Sequence, residues 1–79
     1  MSREGIFEKL NAVFREVFDD ETIIVNDETT SSDIDDWDSL THISLIAAVE
    51  EEFGIKFQMK DVISMKKVGD MVDIIEEEI

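Results

Sequence analysis

Trp37-Asp38-Ser39-Leu40-Thr41-His42-Ile43-Ser44-Leu45-Ile46-Ala47-Ala48-Val49-Glu50-Glu51-Glu52-Phe53-Gly54 is the stretch on which the fold turns. Asp38 has the chemistry of an N-cap, and Gly54 that of the left-handed stop after a helix, so the segment predicts a helix over Ser39 to Phe53. One serine hydroxyl is thereby placed at the mouth of that helix, reached through an acidic loop. A phosphate joined to Ser39 would meet unpaired backbone N–H groups and the positive end of the helix dipole.

Placed at 100° per residue, this helix has an apolar arc about twice the ~100° stripe of an ordinary surface helix. Leu45, Ile46, Val49 and Phe53 form one apolar face, and Leu40, Ile43 and Ala47 form a second beside it. A small bundle buries one face and leaves the other for a partner; a helix simply more buried than its neighbours would show the same arc. His42 falls on the core side near the helix start and is expected to pack at the edge of the core. Trp37 reads equally as a partner anchor or as a lid over the helix start.

Working outward, Ile6, Phe7, Leu10, Val13, Phe14, Val17 and Phe18 recur at the spacing of one helical stripe, predicting a first helix over Arg3 to Phe18 with Ser2 as N-cap. Asp19 to Trp37 is a long connection. Ile23, Ile24 and Val25 have strand character but no partner strand, so they and Ile34 are expected to pin the loop to the helices. Residues 26–33, Asp35 and Asp36 complete a stretch rich in Ser, Thr, Asp and Asn, and a loop of this length in a compact domain is usually functional. A single turn is expected around Met59 to Ile63. A last helix should begin near Met65 or Lys66 and bury Val68, Met71, Val72 and Ile75, with Ile79 a further candidate at the same spacing. With no proline to break these segments, the expected architecture is all-α: a four-helix bundle of three major helices and one short one, forming one domain over residues 1–79.

The chain has 79 residues, so its core is modest, and the lack of cysteine leaves helix packing to hold it. Seven basic and 21 acidic residues give a net charge of −14, which makes nucleic acid and anionic membranes poor partners and basic protein patches good ones. Glu50, Glu51 and Glu52, and again Glu76, Glu77 and Glu78, sit near helix C-termini where the dipole disfavours anions. Lys66 and Lys67 sit near an unfavourable start. Such placement hints that the acidic surface serves recognition.

The opening Met1-Ser2-Arg3-Glu4 lacks the apolar stretch of a signal peptide and no long apolar run follows, so a cytoplasmic protein without stable membrane insertion is expected. The acidic cluster Asp33, Asp35, Asp36 and Asp38 fails as a calcium loop: counted from Asp33, position 5 is Trp37, position 6 is Asp38 and position 12 is Ser44. One histidine without a nucleophile–base pattern, no metal-ligand spacing and no glycine-rich phosphate loop argue against an enzyme.

Asp38-Ser39-Leu40 opening a helix, then Ala47-Ala48-Val49-Glu50-Glu51-Glu52-Phe53, then Val68-Gly69-Asp70-Met71-Val72, in this order and spacing, resembles the acyl carrier protein family. The resemblance covers essentially the whole chain. It implies that Ser39 receives 4′-phosphopantetheine from coenzyme A and that Asp38 belongs to the surface a phosphopantetheinyl transferase reads. The arm's thiol would carry acyl groups as thioesters between enzymes of a fatty-acid, polyketide or specialised acyl pathway, and the free-standing protein would not itself catalyse. Leu40, Ile43, Ala47, Glu50 and Glu51, with Asp35 and Asp36 at the loop, would meet basic docking patches on those enzymes, the carrier acting as a monomer. Thr41 and Ser44 stand where the family often has acidic residues, and Ile34-Asp35-Asp36-Trp37 replaces its usual Leu-Gly turn. These departures point to a dedicated carrier for a specialised pathway. A peptidyl or aminoacyl carrier, or an unmodified acidic adaptor, are the alternatives.

Overall fold

The computed structural model describes residues 2–79; Met1, and with it the first residue of the opening stretch, lies outside the described residues. Four α-helices follow one another: α1 (Arg3–Val17), α2 (Ser39–Phe53), the short α3 (Met59–Ser64) and α4 (Val68–Glu78). The α1–α2 connection holds one 3₁₀ turn, Ser31–Asp33, and no strand is present among the described residues.

Each major helix turns one stripe inward. Ile6, Leu10, Val13 and Phe14 of α1, Leu45, Ile46 and Val49 of α2, and Val68, Met71, Val72 and Ile75 of α4 are buried in one cluster. A fully buried aliphatic or aromatic side chain of this size contributes roughly 1.5–3 kcal/mol. The helices are therefore held by their shared interior more than by propensity. α1 is the central partner, packing against both α2 and α4.

The helix ends follow from local chemistry. Ser2 Oγ accepts the Gly5 N–H at 3.1 Å and opens α1. Gly54 closes α2 at φ 66°, ψ 38°, the left-handed conformation that glycine adopts without penalty. The long connection is pinned as its composition suggests: Ile23 and Val25 are buried and Ile34 packs against the core, whereas Ile24 between them faces solvent. The Val25 N–H donates to Asn11 Oδ1 (2.7 Å) and Arg15 Nε donates to the Ile23 carbonyl (2.7 Å), tying the loop to α1.

The start of α4 departs from expectation. It begins at Val68 instead of Met65 or Lys66, because the preceding residues are held extended against the long loop. Thr30 and Lys67 form an isolated antiparallel bridge. The Val68 N–H donates to the Thr29 carbonyl (2.8 Å) and the Gly69 N–H to the Asp27 carbonyl (3.1 Å). Asp70 Oδ2 accepts the Lys66 and Lys67 N–H groups at 3.0 and 3.2 Å, capping the helix from its first turn.

Candidate functional site

The mouth of α2 is built by a reciprocal cap. Asp38 Oδ1 accepts the N–H groups of Leu40 (2.9 Å) and Thr41 (3.0 Å), while the Asp38 N–H donates to Thr41 Oγ1 (2.7 Å). The Thr41 hydroxyl in turn donates to the Asp36 carbonyl at 2.7 Å. These N–H bonds, Thr41's first, hold the Asp38 carboxyl below the usual aspartate range. Thr41, where an acidic residue is common in the family resembled, thus closes the cap. The threonine three residues after an aspartate N-cap was the available sequence signal.

The cap corrects the expectation for the helix mouth. Ser39 is the first residue of α2, and the Leu40 and Thr41 N–H groups behind it are already satisfied by Asp38. The His42 N–H is taken by the Asp38 carbonyl at 2.8 Å. An anion on Ser39 does not find the open row of donors that a bare helix terminus offers. The Ser39 residue itself is exposed, and its hydroxyl makes no hydrogen bond among the described residues.

Ser39 opens onto a cleft of about 440 Å³ between the start of α2, α3 and the loop into α4. Trp37, Asp38 and His42 line one side; Val62, Ile63, Met65, Lys66, Lys67 and Met71 line the other, with Ser31 at the edge. Trp37 acts as a wedge at the inner end of this side. Its ring lies edge-on to Phe14 (centroids 5.3 Å apart) and stacks on His42 (5.9 Å), and its Nε1–H donates to His42 Nδ1 at 3.0 Å. An indole N–H only donates, so the neutral His42 ring carries its proton on Nε2. His42 therefore packs at the core edge as expected, and Trp37 takes the lid role. A larger hollow of about 620 Å³ lies under the acidic loop, walled by Asp20, Glu28, Asp33, Asp35 and Asp36. Ser39 does not line it.

The second face of α2 is on the surface: Leu40 is 79% and Ile43 67% exposed, and Ala47 beside them also faces solvent. Met59 and Ile63 of α3 are exposed as well. Asp35, Asp36 and Glu51 are exposed, but Glu50 is half-buried, its Oε2 accepting the Phe57 N–H at 2.8 Å. Part of the acidic excess has intramolecular work: Glu76, Asp73 and Asp27 converge on Arg3, and Glu52 lies 3.9 Å from Lys9. The cleft walls from α3 and α4 were missed in sequence, where nothing in the spacing joins Lys66 and Met71 to Ser39.

No helix among the described residues is long and apolar enough to cross a membrane, and no group of three metal-ligating side chains is found among them. An exposed, unpartnered hydroxyl beside an open cleft fits a covalently attached arm.

The family model described as the phosphopantetheine attachment site matches residues 8–75. The chain is 36% identical over 75 residues to an acyl carrier protein of Acidothermus cellulolyticus, covering 95% of this chain and 89% of that one. It is 33% identical over 78 residues to an acyl carrier protein of Thermotoga maritima, covering 99% and 96%. The solution structure of a holo acyl carrier protein from Geobacter metallireducens superposes with a TM-score of 0.86 at 40% identity, over 91% of this chain and 83% of that one. The attachment-site model and the holo structure together indicate 4′-phosphopantetheine as the cofactor. The chain belongs to the acyl carrier protein family.

Proposed function

We propose that Ser39 carries the 4′-phosphopantetheine arm and that the α2 surface around it docks the enzymes the arm serves. The observation that carries this reading is the position of Ser39: the first residue of α2, exposed, with a free hydroxyl at the edge of a cleft. The Ser39 hydroxyl attacks the β-phosphorus of coenzyme A. The bond from that phosphorus to the 3′,5′-ADP oxygen breaks, and the hydroxyl proton passes to a base of the transferase. Once attached, the arm supplies a thiol, which the cysteine-free chain lacks, to carry an acyl group as a thioester.

Family membership implies a phosphopantetheinyl transferase and acyl-handling enzymes as partners. Leu40, Ile43 and Ala47 form the apolar centre of the docking face, because they lie on one side of α2 and nothing among the described residues covers them. Asp35, Asp36, Asp38 and Glu51 supply the negative rim that orients a basic patch on approach. Glu50 contributes less than its sequence position suggests, because its carboxylate is engaged by the Phe57 N–H. The chain carries and delivers; the chemistry belongs to its partners, in the cytoplasm where coenzyme A is available.

Intact-protein mass before and after incubation with coenzyme A and a broad-specificity transferase tests the assignment. One added phosphopantetheine, lost in Ser39→Ala, is the expected result. Modification that persists in a folded Ser39→Ala, or none in the native chain beside a modified control carrier, overturns it.

A further inference from the structure

The cap of α2 leaves an electrostatic question at its mouth. A phosphodiester on Ser39 adds a negative charge next to the Asp38 carboxylate, three and four residues along the chain from Asp36 and Asp35, in a chain that already carries a net charge of −14. The usual remedy for a phosphate at a helix start is the row of free N–H groups. Here Asp38 has taken those of Leu40 and Thr41, and the Asp38 carbonyl that of His42. The Ser39 N–H is what the first turn retains.

The positive charge in this cleft comes from its other wall. Of the seven basic residues, only Lys66 and Lys67 line the cleft that Ser39 opens onto. Arg3, Lys9 and Arg15 belong to α1, and Lys56 and Lys60 lie on or before α3. The backbone under the pair is fixed: both N–H groups are bound by Asp70 Oδ2, and Lys67 pairs in a bridge with Thr30. Lys67 Nζ lies 3.7 Å from the exposed Glu28 carboxylate, so its charge is partly shared. Lys66 makes no ion pair among the described residues.

We infer that Lys66, assisted by Lys67, is the counter-charge for the phosphodiester on Ser39, so that modification draws the α3–α4 loop and the mouth of α2 together. The inference rests on the Ser39 assignment. It makes the two lysines positioning residues for the arm, and it gives a physical reason for cations at a helix start, where the dipole disfavours them. A carboxylate on the acyl cargo would meet the same lysines, and a form bearing the arm without cargo separates the two sources.

The test compares unmodified and cargo-free modified forms of the native chain and of Lys66→Gln, Lys67→Gln and the double variant. Mass establishes a single group on Ser39 first; its absence there overturns the Ser39 reading and this inference with it. Amide and lysine side-chain resonances, the ³¹P shift and the urea midpoint are then read at low and high salt. In the native chain, modification is expected to shift the Lys66 and Lys67 resonances. In the double variant it should lower the folding equilibrium constant by about two- to fivefold relative to native, as loss of an exposed ion pair does, with the difference fading in salt. Lys66→Gln should show most of this effect. Equal effects of modification in the native chain and the double variant, at both salt levels, overturn the inference. So does a Lys66 response that appears only when a carboxylate-bearing cargo is loaded.

Discussion

Replacing Gly69 by alanine sets two effects of opposite sign against each other. Gly69 sits in the first turn of α4, where alanine is the better helix former by up to about 1 kcal/mol. Its φ is not in the left-handed region, so propensity alone predicts stabilisation. The surroundings predict the reverse. A Cβ at this position would lie 2.8 Å from the Asp27 carbonyl oxygen and 3.2 Å from the Asp27 Cα, and backbone atoms cannot rotate aside as the end of a side chain can. Relieving that overlap separates α4 from the long loop, costing about 1–3 kcal/mol of overpacking strain. The Gly69 N–H to Asp27 bond (3.1 Å) stretches with it, at about 0.5–1.5 kcal/mol. Against the propensity gain, the net is roughly 1–3 kcal/mol of destabilisation. For a domain of this size each kcal/mol lowers Tm by about 4–8 °C. Thermal and urea unfolding of the unmodified protein, followed by circular dichroism, reads this directly. An unchanged urea slope would show that the loss is in native packing. A Gly69→Ala protein as stable as the native chain, or more so, refutes the argument that this glycine is required by close approach of the loop.

Three further outcomes follow from the same structure. The carboxyls of Asp38 (through Thr41 and Leu40 N–H bonds) and Asp70 (through Lys66 and Lys67 N–H bonds) are held below the ordinary value of 3.8. Their contribution is thus complete above that pH and lost as pH falls through the lower folded values; the drop in urea midpoint from pH 5 to pH 3 should therefore be smaller in Asp70→Ala than in the native chain, and an equal drop would show that Asp70 contributes nothing to it. Trp37→Phe keeps an aromatic ring against Phe14 but removes the donor to His42, and should cost about 1–2 kcal/mol in urea unfolding; a cost below about 0.5 kcal/mol would show that the indole–imidazole bond contributes nothing. Leu40→Asp and Ile43→Asp should leave stability within about 0.5 kcal/mol, since both side chains face solvent, while lowering kcat/KM for modification by the transferase; a large loss of stability instead would mean that this face is structural.

The architecture was readable because local and global preferences agree. The apolar stripe of α1, the Asp38 and Gly54 boundaries of α2 and the inward positions of α4 each carry their own periodicity or capping signal, and each helix formed where that signal stood. Ser39 was legible for the same reason, since an N-cap and a helical run place the residue between them without any long-range information. The start of α4 was not. Residues 65–67 have no breaker of their own, and what holds them extended is a bridge and backbone bonds to residues 27–30, far away in the chain.

The sequence by itself determined which segments are helical, which stripe of each is apolar and where the Ser39 hydroxyl falls on α2, because these depend on neighbours within a turn or two. Only the tertiary structure decided the rest. Asp38 and Thr41 close the donors that an anion on Ser39 would otherwise use, and Glu50 turns inward to the Phe57 N–H. Packing of α3 and α4 brings Lys66 and Lys67 to the serine's cleft. Such contacts depend on distance in space, which periodicity along the chain does not encode.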